Sequence, residues 1–199
     1  MTAARRGSPS TLFESGLGQP IIGRAGQLVF SEGDPADAFY LLLSGSLRCY
    51  VSRAKDGPEE RTTLLCEGPA IVGDRDLLAD VSAAESVRCS SATTGLTWPR
   101  ETFLEAWSQS AELRAILVRD VSLRYAKSLA LVGLQLEPLH RSVAALLRET
   151  REKPELNNTA WIAEVLSVAP KSVTRAMTQL RREGEQEIEA PSLFHSLAE

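Results

Sequence analysis

The 199-residue chain lacks any apolar run long enough to cross a bilayer. Its longest, Phe39–Leu43 and Leu129–Leu134, fall far short of the roughly 18–20 residues a spanning helix requires. The opening Met1–Pro9 carries Arg5 and Arg6 but no apolar segment behind them, so no secretory signal and no membrane partner are expected, and the expected compartment is the cytoplasm. Cysteine is scarce: Cys49, Cys66 and Cys89 lie 17 and 23 residues apart, with no CxxC pair. Their odd number and spacing argue against a disulfide framework or a cysteine-only zinc site. Only two histidines occur, His140 and His195, 55 residues apart and without a carboxylate partner at motif spacing. No nucleophile elbow, P-loop or metal-binding helix motif is present, so neither catalysis nor a cofactor or metal is expected. Strong positive charge is missing too. The net charge of −4 excludes binding to nucleic acid through bulk charge, but not a local basic surface on an acidic body.

What is present is an ordinary globular composition, 43% hydrophobic and 24% charged, in a chain long enough to bury a core. Two textures meet near the middle. From about Gly26 to Pro99, short apolar runs (Gln27–Phe30, Ala38–Leu43, Leu47–Val51, Arg61–Cys66, Val87–Cys89, Gly95–Trp98) alternate with turn residues, and Lys55-Asp56-Gly57-Pro58 reads as a hairpin turn. Such spacing predicts a β-sandwich or barrel. After Pro99 the period becomes helical. Arg100–Trp107 forms a short helix, and Ala111–Gln135 a long one whose apolar stripe is widened by Val118, Tyr125, Leu129 and Leu136. A stripe that wide suits a helix with two buried faces, the second against another copy of the chain. A long helix packed only on its own sheet is the alternative. Pro138 ends it, and Leu139–Glu149 is a further helix before the polar loop Pro154–Asn158.

The most informative stretch is Asn157–Leu180. Asn158 or Thr159 can cap a helix over Thr159–Leu166, with Ile162, Ala163 and Leu166 inward. Val168 fills a tight corner, and Pro170 suits the first position of a second helix, Pro170–Glu183, which turns Val173, Met177 and Leu180 to the core. This is the pattern of a helix-turn-helix. By subtraction, the outward face of its second helix shows Lys171, Ser172, Thr174, Arg175 and Thr178, residue types that hydrogen-bond base edges and phosphates. Arg181 and Arg182 can reach phosphates at its end. Ser167 sits in the turn where glycine is usual, and so must adopt glycine-like backbone geometry.

These elements together resemble the cyclic-AMP receptor protein and fumarate–nitrate regulator (Crp/Fnr) family of bacterial transcription factors. Gly33-Asp34 with Ala36–Tyr40, Ser44-Gly45, Gly73-Asp74 with Leu77-Leu78, and the helix-turn-helix carry the resemblance, from about Ile22 to Leu197. It implies an α+β chain with four parts: a tail (1–20), an N-terminal jelly-roll effector-like domain (21–108), a long dimerisation helix (109–137) and a C-terminal winged helix-turn-helix domain (138–199). It also implies a homodimer on inverted-repeat double-stranded DNA, with RNA polymerase as client.

Departures from the family pattern bear on mechanism. The pair that grips a cyclic nucleotide's ribose reads Gly73-Asp74 here, followed by Leu77. The cassette that should supply an arginine and a serine for the phosphate reads Ser82-Ala83-Ala84-Glu85, and the base-contacting pair of the long helix aligns with Ala126-Lys127. Glu85 near a phosphate repels it. The resemblance therefore implies a degenerate pocket that does not use cyclic AMP, leaving a member that works without a small molecule or binds an unfamiliar one. Cys49 and Cys66 flank the 55–58 turn and leave thiol switching open beside their reading as small buried hydrophobes. The wing is shortened, with the acidic run Glu185–Ala190 replacing one strand before a last helix at Ser192–Ala198. The alternative function is a Crp-like protein acting through protein partners, with DNA binding weakened by that run.

Overall fold

The computed structural model describes residues 18–52, 60–151 and 157–183. The 55–58 turn, the first part of the 154–158 loop, the shortened wing and the last helix lie outside the described residues, as does most of the tail. In chain order the elements are β1 (Gln19–Gly23), β2 (Leu28–Phe30), β3 (Ala38–Ser44), β4 (Ser46–Ser52), β5 (Glu60–Glu67), β6 (Ala70–Val72), α1 (Asp74–Ala79), β7 (Ser86–Cys89), β8 (Thr93–Pro99), α2 (Arg100–Gln109), α3 (Ala111–Leu136), α4 (Leu139–Glu149), α5 (Thr159–Leu166) and α6 (Pro170–Glu183). The chain forms two compact units, residues 1–51 with 65–122 and residues 52–64 with 123–199.

In the first unit, antiparallel strands build the two four-stranded sheets of a jelly roll, ordered β1-β8-β3-β6 and β2-β7-β4-β5. Residues of β3 that alternate along one face, Phe39 and Leu41, are fully buried, as a period of two dictates. They join Ile71, Leu77, Trp98, Phe103, Leu113 and Leu117 in one core, so α2 and the start of α3 seal the sheet. Phe39 stacks on Phe103 at 4.3 Å between ring centroids and tilts against Trp98 at 5.7 Å. Two glycines are required by geometry. Gly45, at φ 89°, turns the chain between β3 and β4 where a Cβ would lie 2.3 Å from the Ala92 carbonyl oxygen, and Gly73, at φ 83°, starts α1 where a Cβ would meet the Ala38 oxygen at 2.9 Å.

In the second unit, α4, α5 and α6 pack around Val143, Leu146, Ile162, Val165, Leu166 and Val173. The predicted bounds of α4, α5 and α6 agree with the structure. The sequence reading missed β1, β6 and α1. β6 and α1 are three and six residues long, too short to display a period, and β1 is an edge strand whose Ile22 points to solvent.

Phe103→Ala removes a ring stacked in the first unit's core and should cost about 3–5 kcal/mol. The unfolding midpoint of that unit in denaturant should fall accordingly, whereas an unchanged midpoint would show that α2 does not seal the sheet.

Candidate nucleic-acid interface and effector recess

The helix-turn-helix is set by local chemistry. The Asn158 side chain accepts the Trp161 N–H at 2.8 Å and caps α5, satisfying a donor that the first turn leaves open. Ser167 ends α5 in the left-handed region, φ 55° and ψ 45°. Its hydroxyl oxygen accepts the Thr62 N–H at 2.9 Å, while the Thr62 hydroxyl donates to the Glu164 carbonyl at 2.7 Å. Gln135 completes the clasp: its amide nitrogen donates to the carbonyls of Thr62 and Val165, each at 3.0 Å, and its oxygen accepts from Arg61 Nε at 2.9 Å. Serine stands in the glycine position because its hydroxyl is used there. Thr62 and Gln135 were not singled out in the sequence. The available signal was Gln135, a lone amide between Leu134 and Leu136 in an apolar stripe.

On α6, Val173 and Ala176 are buried, with Met177 and Leu180 partly covered. Lys171, Thr174, Arg175, Thr178, Arg181 and Arg182 are exposed, and Ser172 is half-buried at the edge of that face. At about 100° per residue, Lys171, Arg175, Thr178 and Arg182 fall within an arc of about 60°. Thr174, Arg175, Thr178, Gln179 and Arg182 line an open recess of about 510 Å³. The two threonine hydroxyls bond within the helix: Thr174 donates to the Pro170 carbonyl at 3.2 Å and Thr178 to the Thr174 carbonyl at 2.9 Å. Arg181 and Arg182 occupy the last turn, where positive charge complements the carbonyl end of the helix.

The second feature lies in the first unit. Phe30, Pro35–Ala38, Tyr40, Gly73, Asp76 and Ala83 line a recess of only about 60 Å³. Asp74 and Leu77 are buried in the short helix α1 that leads from Gly73. Asp76, which the sequence reading did not single out, is 6% exposed. Its carboxylate accepts the Ala84 N–H at 3.1 Å and pairs with Arg75 through Nε at 3.0 Å and Nη2 at 3.4 Å. Arg75 also reaches Glu85 at 3.5 Å. Arg88, the other nearby guanidinium, donates to the Tyr50 hydroxyl at 2.8 Å and lies over its ring. Burial, and then the Asp37 and Asp34 carboxylates, hold the Tyr40 phenol above its usual range, so it stays a neutral donor. Gly73 and Ala83 thus meet in the recess beside Ala84. Ala126 and Lys127 are half-buried on α3 in the second unit.

Along α3 an apolar stripe stays open: Val118 is 61% exposed, Tyr125 65%, Leu129 54% and Leu136 78%. The spacings of 7, 4 and 7 residues keep them on one side of the helix, with small Ser122 and Gly133 between. Cys49, Cys66 and Cys89 are buried and form no disulfide with one another. No described helix is long and apolar enough to cross a membrane.

Residues 23–110 match the cyclic nucleotide-binding domain family, which defines the class of the first unit. Over 184 residues the chain is 29% identical to a CRP-like cAMP-activated global transcriptional regulator of Mycobacterium tuberculosis, covering 91% of this chain and 67% of that protein. Solved structures share the fold. The c-di-GMP-responsive global regulator CLP of Xanthomonas campestris superposes with a TM-score of 0.69 at 16% identity, over 84% of this chain and 88% of that one. FixK2 of Bradyrhizobium japonicum gives 0.67 at 16%, over 88% and 90%. The first unit therefore carries a cyclic nucleotide-binding domain, and the chain as a whole is similar to Crp/Fnr-type transcriptional regulators.

Ser167→Ala keeps the left-handed backbone but deletes the acceptor of the Thr62 N–H, and should cost about 0.5–1.5 kcal/mol. Ser167→Gly loses the same bond but relieves the backbone, so it should be the milder change. Denaturant unfolding of both variants checks the order; a more stable alanine variant would contradict it.

Proposed function

We propose that the chain is a homodimeric, sequence-specific DNA-binding regulator that acts in the cytoplasm on inverted-repeat operators and does not use cyclic AMP. The observation that carries this reading is the exposed face of α6, where Lys171, Arg175, Thr178 and Arg182 share one arc on a helix whose opposite side is buried. A helix presented in this way can enter the major groove. Arg175, at the edge of that arc and midway along the helix, has the planar donor fork that matches the O6 and N7 acceptors of guanine. Lys171, Arg181 and Arg182 are placed to meet phosphates, and Ser172 to contact the groove edge.

Pairing through α3 follows from its open stripe, since Val118, Tyr125, Leu129 and Leu136 form a seam that a second copy can bury. Two α6 helices then read half-sites about 34 Å apart. RNA polymerase is the client that the resemblance to Crp/Fnr regulators implies.

The effector recess supports independence from cyclic AMP. Its volume of about 60 Å³ admits about two waters, against the roughly 300 Å³ or more of ordinary ligand pockets. The Ala84 N–H and the Arg75 guanidinium, the groups fit to hold an anion, are taken by Asp76, and Asp37 adds a second carboxylate to the lining. Gly73, Asp74, Leu77, Ala83 and Ala84 keep the shape of a nucleotide cassette without its charge. On α3, Ala126 offers no hydrogen-bonding group to a base.

Arg175→Ala should weaken binding to the selected operator by about 1–3 kcal/mol while leaving non-specific binding much less affected. An electrophoretic shift with excess random-sequence competitor reads both, and undiminished specific binding by the variant overturns the assignment. Millimolar cyclic AMP should leave the thermal midpoint and operator affinity unchanged. A ligand at 100 times its Kd would stabilise the fold by about 2.7 kcal/mol, so a clear upward shift contradicts the reading.

A further inference from the structure

Each threonine of the reading helix has spent its only hydrogen-bond donor on the backbone. Thr174 Oγ1 donates to the Pro170 carbonyl and Thr178 Oγ1 to the Thr174 carbonyl, one turn apart on the exposed face. What each can still present to a ligand is a Cγ2 methyl and hydroxyl lone pairs. These residues cannot donate to guanine O6 or N7, nor to thymine O4, without giving up a helix-bound hydrogen bond. They can accept a hydrogen bond and fill apolar contact.

Among the base pairs, A·T alone offers both complements at its major-groove edge: the adenine N6 donor and, on the far side of the thymine O4, the thymine C5 methyl. G·C supplies the cytosine N4 donor but no methyl. The two threonines lie about 6 Å apart along the helix axis, under two base-pair steps of about 3.4 Å. Arg175 sits between them in sequence and projects to the same exposed side. We infer that Thr174 and Thr178 determine specificity for A·T pairs next to the guanine taken by Arg175, and that they do so by touching thymine methyls rather than by donating hydrogen bonds. This inference rests on the proposal that α6 reads DNA.

The test replaces each thymine of the half-site selected by the full chain with deoxyuridine, which removes the methyl and leaves every hydrogen-bonding group in place. Affinity should fall about fourfold per contacted methyl, the yield of one buried methyl-sized group. Thr174→Ser and Thr178→Ser keep the hydroxyl and lose the methyl, so each should bind the thymine and uracil duplexes more nearly equally. Thr174→Val and Thr178→Val keep a methyl and lose the hydroxyl, and should retain the preference for thymine. Uracil duplexes bound as tightly as thymine duplexes by the parent chain overturn the inference, as do serine variants that keep the full preference. Either result leaves Arg175 reading guanine intact. If the chain selects no sequence at all, the DNA-reading proposal fails and this inference fails with it.

Discussion

The outward face of α6 depends on one reversal of the chain, and that reversal depends on Ser167. A residue with a side chain in the left-handed region carries a penalty of about 1–2 kcal/mol, which glycine escapes. Here the serine hydroxyl accepts the Thr62 N–H, and the Thr62 hydroxyl returns a bond to Glu164 within the same turn. Gln135 ties Thr62 to the same turn of α5 by donating to the carbonyls of Thr62 and Val165. These bonds offset the backbone cost and hold the end of α5, so Pro170 starts the next helix in a fixed direction. Val173 and Ala176 then go to the core, and the basic and threonine side chains are left outside. Packing sets this geometry: Arg175 faces outward because the other side of the helix is needed inside.

The effector domain shows the opposite use of polar chemistry. A carboxylate buried without partners is costly, and Asp76 avoids that cost by taking both an arginine and a backbone N–H. Here an amide and a guanidinium converge on a carboxylate of the chain itself. The jelly roll keeps its turns, with Gly45 and Gly73 at positions that tolerate no Cβ, and the recess that Gly73 lines measures about 60 Å³. A fold associated with a ligand can therefore persist on packing alone, because Phe39, Trp98 and Phe103 supply its core whatever the recess contains.

Much of this was legible in the sequence, for reasons particular to each element. Helices α4, α5 and α6 announced themselves through Pro138, Asn158 and Pro170, since proline and a capping asparagine act locally and fix a boundary whatever the tertiary context. The glycines of the strand region marked turns for the same reason. The cassette lacking an arginine was visible as Ser82–Glu85, but that the Asp76 carboxylate accepts the Ala84 N–H was not, because the two are eight residues apart and meet only through the fold of α1. The clasp on Ser167 joins residues more than a hundred positions apart, beyond any local pattern. The bonds that the Thr174 and Thr178 hydroxyls make inside the helix were not legible either, because residue type records what a side chain can do, not what the helix has already claimed.

The central claim is that this chain reads base sequence through α6 with its effector recess already filled from within. Selection of bound duplexes from a randomised pool, by the purified chain with no nucleotide added, tests it most directly. The account predicts enrichment of an inverted repeat with half-site centres one helical turn, about 10 base pairs, apart. A pool that stays random, or one that gains order only when cyclic AMP is supplied, would contradict it.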